Sequence, residues 1–391
     1  MSKSIDEKYT AVGKIINKAG GTPTRLSDTA IEILKIIVEE KYLDFLMAFK
    51  KKTSLTMDQL KESLIAINLE LTDDEIKEIG STLAKNGIMF NQPSSNGTMI
   101  YRVLPFWNVG IFEYVFMGGG WAGGDEKVNK KLASLFSQLN KESVNFIQSN
   151  YDAVVSGMDK MPAPDRTVPI RTNKDGDEIE IVVNNELEVP QEWIVPVQEI
   201  DKIIEKFDEI AVAHCFCRYH EYLDYEGEGH SCAQVDPNDE NCFTFGKSAR
   251  HVAENGFGRM ITKEEARQIM RDSESAGLIH KAYHPRFDIT RDETSVCNCC
   301  SDCCGNSAEK GKFPIVNASM FLAVVDKDMC VGCGTCVEKC PHKAIYLEND
   351  KAVRIEEKCI GCGVCAYFCP EQAIKLVQSP RIVRIPPKRL N

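Results

Sequence analysis

The tightest constraint on this chain is a cysteine motif written twice near its C-terminal end: Cys330-x2-Cys333-x2-Cys336-x3-Cys340-Pro341, then Cys359-x2-Cys362-x2-Cys365-x3-Cys369-Pro370. Each cysteine of the first copy recurs 29 residues on, 330 to 359, 333 to 362, 336 to 365 and 340 to 369, so the segment is a duplicated unit. Any fold for it must gather eight thiols onto compact surfaces. At this spacing they are ligands for two iron–sulfur cubanes, and electron transfer is the first function they imply.

The remaining composition is consistent with that reading. The 391 residues suffice for about two or three domains, and 43% hydrophobic with 27% charged residues is the make-up of a folded soluble protein. A net charge of -11 argues against broad attraction to nucleic acid and fits an acidic carrier. The 17 cysteines all lie at or beyond Cys215, their number is odd, and Met1-Ser2-Lys3-Ser4 leads into a polar stretch without an apolar signal core. A reducing, cytoplasmic setting with metal rather than disulfides is therefore expected. The stretch 106–124 carries one charge, Glu113, but its six glycines (Gly110, Gly118, Gly119, Gly120, Gly123 and Gly124) make it a poor membrane helix. It reads as an interdomain or partner surface, with 118–124 as a hinge.

Along the front of the chain, Ser27 and Asp28 can cap a helix carrying Ile31, Leu34 and Val38, followed by the apolar stretch 43–49. Thr56 with Gln59, and Thr72 with Glu75, form two capping boxes. Ile76, Ile79 and Leu83 recur at helical spacing before Gly87, and 89–104 reads as a hairpin turning at Asn96-Gly97. Helix, helix, helix and hairpin in that order resembles a winged-helix domain over about 27–105. DNA-binding members of that family need basic or amide side chains on the helix before the wing. Here that helix opens Asp73-Asp74-Glu75 and adds Glu78, which favours contact with protein over nucleic acid.

Farther on, Val128, Leu132, Leu135 and Leu139 predict a helix, and Met161-Pro162-Ala163-Pro164 breaks the chain. Asp175-Gly176 sits between 168–170 and 179–183 as the turn of a short hairpin in a connector. A helix over about 197–207 leads into Ile210-Ala211-Val212-Ala213, a buried strand delivering the first cysteines. Thr262 and Glu265 open another helix that ends at Gly277, and 305–314 reads as a linker. The expected organisation is α+β multidomain: a winged-helix-like domain and hinge over 1–124, a helical and hairpin connector over 125–188, a mixed α/β cysteine-rich metal-binding domain over 189–308, and a ferredoxin-like twin-cluster module with a basic tail over 309–391.

The segment 325–376 closely resembles the bacterial two-cluster ferredoxins. The resemblance implies that Cys330, Cys333, Cys336 and Cys369 hold one [4Fe-4S] cluster, and that Cys359, Cys362, Cys365 and Cys340 hold the other. Gly332, Gly334, Gly361 and Gly363 would let the backbone approach the clusters, and Pro341 and Pro370 would set the turn after each fourth cysteine. Zinc is disfavoured there, because it rarely uses this doubled register. His342 and Tyr346 lie nearby without a chemical task.

Nine cysteines remain. His214-Cys215-Phe216-Cys217-Arg218 precedes Cys232 and Cys242, and Cys297-Asn298-Cys299-Cys300-Ser301-Asp302-Cys303-Cys304 follows. The nine can make one further cluster with spares, make two, or converge on one site; zinc and exchangeable thiols are the alternatives to a third iron–sulfur cluster. Arg218 can steady thiolates or sit on the surface, and His214 and His230 flank cysteines without paired histidine spacing. A C-x-C-R element and a later C-N-C-C element ahead of a ferredoxin domain resemble a group of uncharacterised iron–sulfur proteins of strict anaerobes.

The expected function is single-electron transfer through two [4Fe-4S] clusters, with a further metal centre in the middle segment and a redox protein as partner, the chain acting alone or as a complex subunit. No membrane span or nucleic-acid partner is expected. No dinucleotide fingerprint or phosphate loop appears. Two other classes fit the same residues: an oxidoreductase subunit with chemistry at the middle centre, and a metal- or redox-sensing transcription regulator.

Overall fold

The computed structural model describes residues 4–20, 26–94, 96–121, 123–183, 199–224, 232–307 and 312–390. These fall into two compact units, one comprising Met1–Phe146, Phe216–His230 and Arg250–Arg259, the other Ile147–Cys215, Ser231–Ala249 and Met260–Asn391. Among the described residues no helix is long and apolar enough to cross a membrane.

The first unit is largely helical. Its helices include Ile5–Ala19, Asp28–Ile37, Met57–Ile65 and Asp73–Lys85, and a small antiparallel sheet runs in the order β1 (Ser54–Thr56), β3 (Met99–Val103), β2 (Met89–Pro93). Capping fixes the helix starts. Thr56 accepts from the Gln59 amide and Thr72 from the Glu75 amide, while Gln59 and Glu75 reach back to the cap amides. Each cap contributes about 1 kcal/mol. Asp73 also pairs with Lys61 at 2.6 Å, so the acidic turn that sets this helix apart serves its own N-terminus. The β2–β3 hairpin turns through Asn96, whose Oδ1 accepts from the Thr98 amide at 3.2 Å, and Gly97 at φ +82°.

The aromatic stretch expected to form a surface is core instead. The helix Ile111–Met117 is buried throughout, and Phe112 packs on Phe136 and Trp107 with ring centroids 5.3 and 4.8 Å away. Its apolar residues recur too densely to leave a polar face, so the helix is enclosed on all sides. The glycine loop after it is pinned: Asn129 accepts from the Trp121 amide at 2.7 Å and donates to Gly124 O at 3.3 Å. The unit continues through this loop to Phe146 rather than ending at it.

The second unit centres on a nine-stranded mixed sheet. Its strands are β4 (Asp165–Val168), β5 (Ile181–Val182), β6 (Ile210–His214), β7 (Glu240–Phe245), β8 (Arg259–Ile261), β9 (Ile279–Tyr283), β10 (Ser295–Cys299), β11 (Ile315–Val325) and β14 (Ile374–Ile385), ordered β5-β14-β11-β4-β9-β10-β7-β6-β8. A separate hairpin, β12 (Ile345–Glu348) with β13 (Lys351–Arg354), lies within the cysteine repeat. The expected connector hairpin is only partly present. Asn173 and Gly176 do form its turn, but β4 leaves to pair with β9 and β11, and β5 with β14, because the longer strands offer more backbone partners. The helix expected over 197–207 is Ile200–Lys206, its first expected residues lying outside the described ones. It packs with Lys263–Ser275 around Ile203, Val212, Phe243, Met270 and Val296.

Strand β4 carries two charges into the interior. Arg166 is fully buried against Glu293 and donates from Nε to His284 at 3.2 Å, while Asp165 meets Lys281 at 3.2 Å with both side chains almost wholly buried. Arg166→Met leaves Glu293 with Lys206, 3.0 Å away, as its remaining cation and removes the donor to His284; it should cost about 1–3 kcal/mol, read as a lower urea midpoint of the second unit.

In the first unit, His251 lies between Phe90 and Tyr114 and is held down to about 4 by burial, then by Arg102. Its folded pKa is below the ordinary 6.5, so as pH falls below 6.5 the unfolded chain gains a proton the folded unit resists. Stability followed by tryptophan fluorescence should decline from pH 6.5 to about 4, and His251→Gln should flatten that decline.

Candidate metal centres

The cysteine repeat hangs between β11 and β14, which pair antiparallel from Ile315–Ile385 to Val325–Ile374. Both copies of the motif adopt one geometry. Gly332 and Gly361 sit at φ +71° and +68°, and Gly334 and Gly363 at φ +80° and +84° cap the short helices Thr335–Lys339 and Val364–Tyr367. The fourth thiol of each copy accepts from a backbone amide: Ala344 to Cys340 at 3.2 Å, and Ala373 to Cys369 at 3.3 Å.

Folding crosses the copies. One pocket is lined by Cys330, Cys333, Cys336 and Cys369, and another by Cys340, Cys359, Cys362 and Cys365. Each therefore receives three thiols from one motif and the last from the other. Burial pushes the Cys336 thiol up to about 11 and the Cys362 thiol up to about 12, and neighbouring cysteines add to both shifts. Four thiols gathered in one pocket need a cationic centre to ionise together, so the donor set fits a bound cubane.

The two cavities differ in their surroundings. The second is walled by the segment before β5: Ile170 N donates to Cys362 O at 3.0 Å, Lys174 N to Tyr367 O at 3.2 Å, and Ser319 Oγ to Ile360 O at 2.9 Å. Arg381 donates to Cys359 O, which gives the basic tail of the sequence a structural task. The first cavity faces outward. Cys333 is exposed, and Val331 and Leu347, which line the same pocket, are large exposed apolar side chains. His342 is buried, and burial first, then Lys281, lowers it to about 3.

Eight of the nine remaining cysteines also lie in the second unit. Cys215 follows β6, while Cys297 and Cys299 share one face of β10 by the two-residue strand period. Cys242 on β7 stands directly opposite Cys297, with the sulfurs 3.9 Å apart. Cys242 and Cys299 displace the Cys297 proton equilibrium most, and Cys297 and Cys304 raise Cys299, so these four thiols adjoin one another. Cys232, Cys300 and Cys303 form a second group with Asp302. Cys215 acts electrostatically on both Cys297 and Cys300. The two groups are thus neighbours in the fold, with Cys215 close enough to influence both.

Cys217 belongs to the first unit, where it packs with Phe216 and Tyr219 against the helical core. Arg218 is fully buried, not on the surface. His214 is half-buried, and burial lowers its pKa. His230 lies outside the described residues.

Sequence reasoning missed several residues that shape this region. Asn298, between two cysteines of the C-N-C-C element, is buried, pairs with His280 Nδ1 at 2.6 Å and donates to Asn241 O at 2.7 Å, locking the far face of β10. Its placement on the face opposite Cys297 and Cys299 was the available signal. Lys281 lies near Cys299 and Cys304; burial opposes its charge, but Asp165 and these thiols together raise its pKa, leaving a cation beside the thiol set. The same middle cysteines pack in one apolar cluster with Ile360, Val383 and Cys362, so the middle region abuts the second cavity.

A Cβ on Gly361 would stand 2.2 Å from Phe321 O, whereas one on Gly334 meets only Leu347 at 3.8 Å. Both sit at positive φ and share that strain. Gly361→Ala should therefore reduce iron and sulfide content strongly and Gly334→Ala mildly, measured by colorimetric assay on anaerobically purified protein.

Residues 323–376 match the family model described as the 4Fe-4S dicluster domain. Over 32 residues the chain is 47% identical to Ferredoxin-2 of Desulfomicrobium norvegicum (strain DSM 1741 / NCIMB 8310), a match covering 8% of this chain and 54% of that ferredoxin. The chain thus spans about half the length of this curated relative. No solved structure matches it. The C-terminal segment is a ferredoxin-like 4Fe-4S module carried on a larger mixed α/β chain.

Proposed function

We propose that this protein transfers single electrons through two [4Fe-4S] clusters, one held by Cys330, Cys333, Cys336 and Cys369 and the other by Cys359, Cys362, Cys365 and Cys340. The observation that carries this is the pair of four-cysteine cavities formed by exchange of the fourth thiol between the repeats. A bound cubane supplies a one-electron site whose potential depends on charge, hydrogen bonds to sulfur and solvent exposure. The chain sets those conditions differently at the two cavities. Ile170, Lys174 and Ser319 bond to the backbone around the second, while the first meets solvent at Cys333.

The middle cysteines of the second unit provide a further metal-binding region, and Lys281 offsets part of the negative charge at Cys299 and Cys304. The packing of Ile360 and Cys362 against these cysteines supports electron exchange between that centre and the second cavity. The apolar rim of Val331 and Leu347 at the first cavity is where a redox protein docks, since exposed apolar side chains around a redox centre suit a transient partner. The front unit is winged-helix-like and serves protein contact; Asp73 and Asp74 at the start of its Asp73–Lys85 helix would repel phosphate. The setting is an anaerobic cytoplasm.

Anaerobic purification followed by iron and acid-labile sulfide counting tests the proposal. About eight irons and eight sulfides per chain are expected from the module, and about twelve of each if the middle centre is also a cubane. Cys336→Ser and Cys365→Ser should each remove about four of both. Zinc without sulfide in the module would overturn the proposal.

A further inference from the structure

Among the middle cysteines of the second unit, one group differs in its donor chemistry. Cys232, Cys300 and Cys303 place their sulfurs, together with an Asp302 carboxylate oxygen, all within 4.8 Å of one another. The three cysteines are buried, at 8%, 2% and 2% exposure. In a tetrahedral site with metal–sulfur bonds of about 2.3 Å, ligand sulfurs stand about 3.8 Å apart, which suits this spacing. A cubane spreads its thiolates more widely, because each binds a different iron atom of the cluster.

The group is also built as a site. Asp302 Oδ2 accepts from the Ala233 amide at 2.9 Å, which turns Oδ1 toward the Cys232 sulfur 3.3 Å away. The Cys303 amide donates to Cys300 Sγ at 3.3 Å, the amide-to-sulfur bond expected of a C-x-x-C metal loop. Gln234 ties the two loops together. Its Oε1 accepts from the Ser301 amide at 2.7 Å, and its Nε2 donates to Ala276 O and Gly277 O at 3.0 and 3.1 Å. Such outer contacts fix ligand orientation before a metal arrives.

We propose that Cys232, Cys300, Cys303 and Asp302 bind a single thiophilic divalent ion, separate from the thiol set of Cys242, Cys297, Cys299 and Cys304. This deepens the reading of the middle segment as a metal centre by dividing it into two sites. Three thiolates and one carboxylate give a closed, four-coordinate set without an open position, the arrangement of a structural ion. The ion would clamp the 232–234 loop to the end of β10 and so hold the second thiol set in place.

The full chain is purified anaerobically, and zinc, iron and acid-labile sulfide are counted in wild type, Cys303→Ser and Asp302→Ala. The expected result is loss of one metal ion per chain in Cys303→Ser, and weaker retention under a chelator in Asp302→Ala, with sulfide unchanged in both. Loss of about four sulfides from Cys303→Ser, or no loss of metal, overturns the proposal. Should Cys303→Ser fail to fold, wild type stripped of the labile ion and reloaded with Co²⁺ decides: tetrahedral thiolate–cobalt absorption supports the site, and its absence overturns it. Wild type lacking iron and sulfide altogether would remove the electron-transfer reading while leaving this site testable by the same cobalt spectrum.

Discussion

Sixteen of the seventeen cysteines lie in one unit of this protein, and most are buried. A neighbouring thiol raises the cost of ionising a buried one, as Cys242 does at Cys297 and Cys304 at Cys299. Crowded thiols either stay protonated or ionise together around a cation that takes up their charge, and the second alternative is the one a metal centre uses. The rest of the second unit is arranged around that requirement. Lys281 carries a positive charge into the interior beside Cys299 and Cys304, and Asp165 on β4 balances it.

The sheet is what brings distant cysteines together. Strands from the segment before Cys215, from the middle cysteines and from both flanks of the repeat share one sheet, in the order β5-β14-β11-β4-β9-β10-β7-β6-β8. β6, β7 and β10 deliver Cys215, Cys242, Cys297 and Cys299, while β11 and β14 bracket the ferredoxin-like module. Ile360 and Cys362 of the second cavity therefore rest on the same apolar cluster as the middle cysteines. The first cavity lies at the exposed side with Cys333 and Val331.

Much of this was legible in the sequence where the signal is local. The duplicated motif, the positive-φ glycines that follow from it, and the caps at Thr56, Thr72 and Thr262 all depend on residues a few positions apart. What depends on pairing across the chain was not legible. The strands at 165–168 and 181–182 look like a local hairpin, yet each finds a longer partner. The aromatic run at 106–117 looks like a surface until Phe136 from a later helix covers it. Asp302 sits among cysteines without any spacing rule that marks it as a donor, and only the return of Cys232 to its side reveals one.

The central claim is that the two crossed four-cysteine cavities carry electrons. A potentiometric titration of the anaerobically purified full chain, followed by electron paramagnetic resonance, tests it most directly. Two one-electron reductions at low potential are predicted, with the signals of the reduced centres broadened by mutual coupling and one centre lost in Cys365→Ser. A chain that shows no reducible iron–sulfur signal, or whose signals persist in both Cys336→Ser and Cys365→Ser, would contradict it.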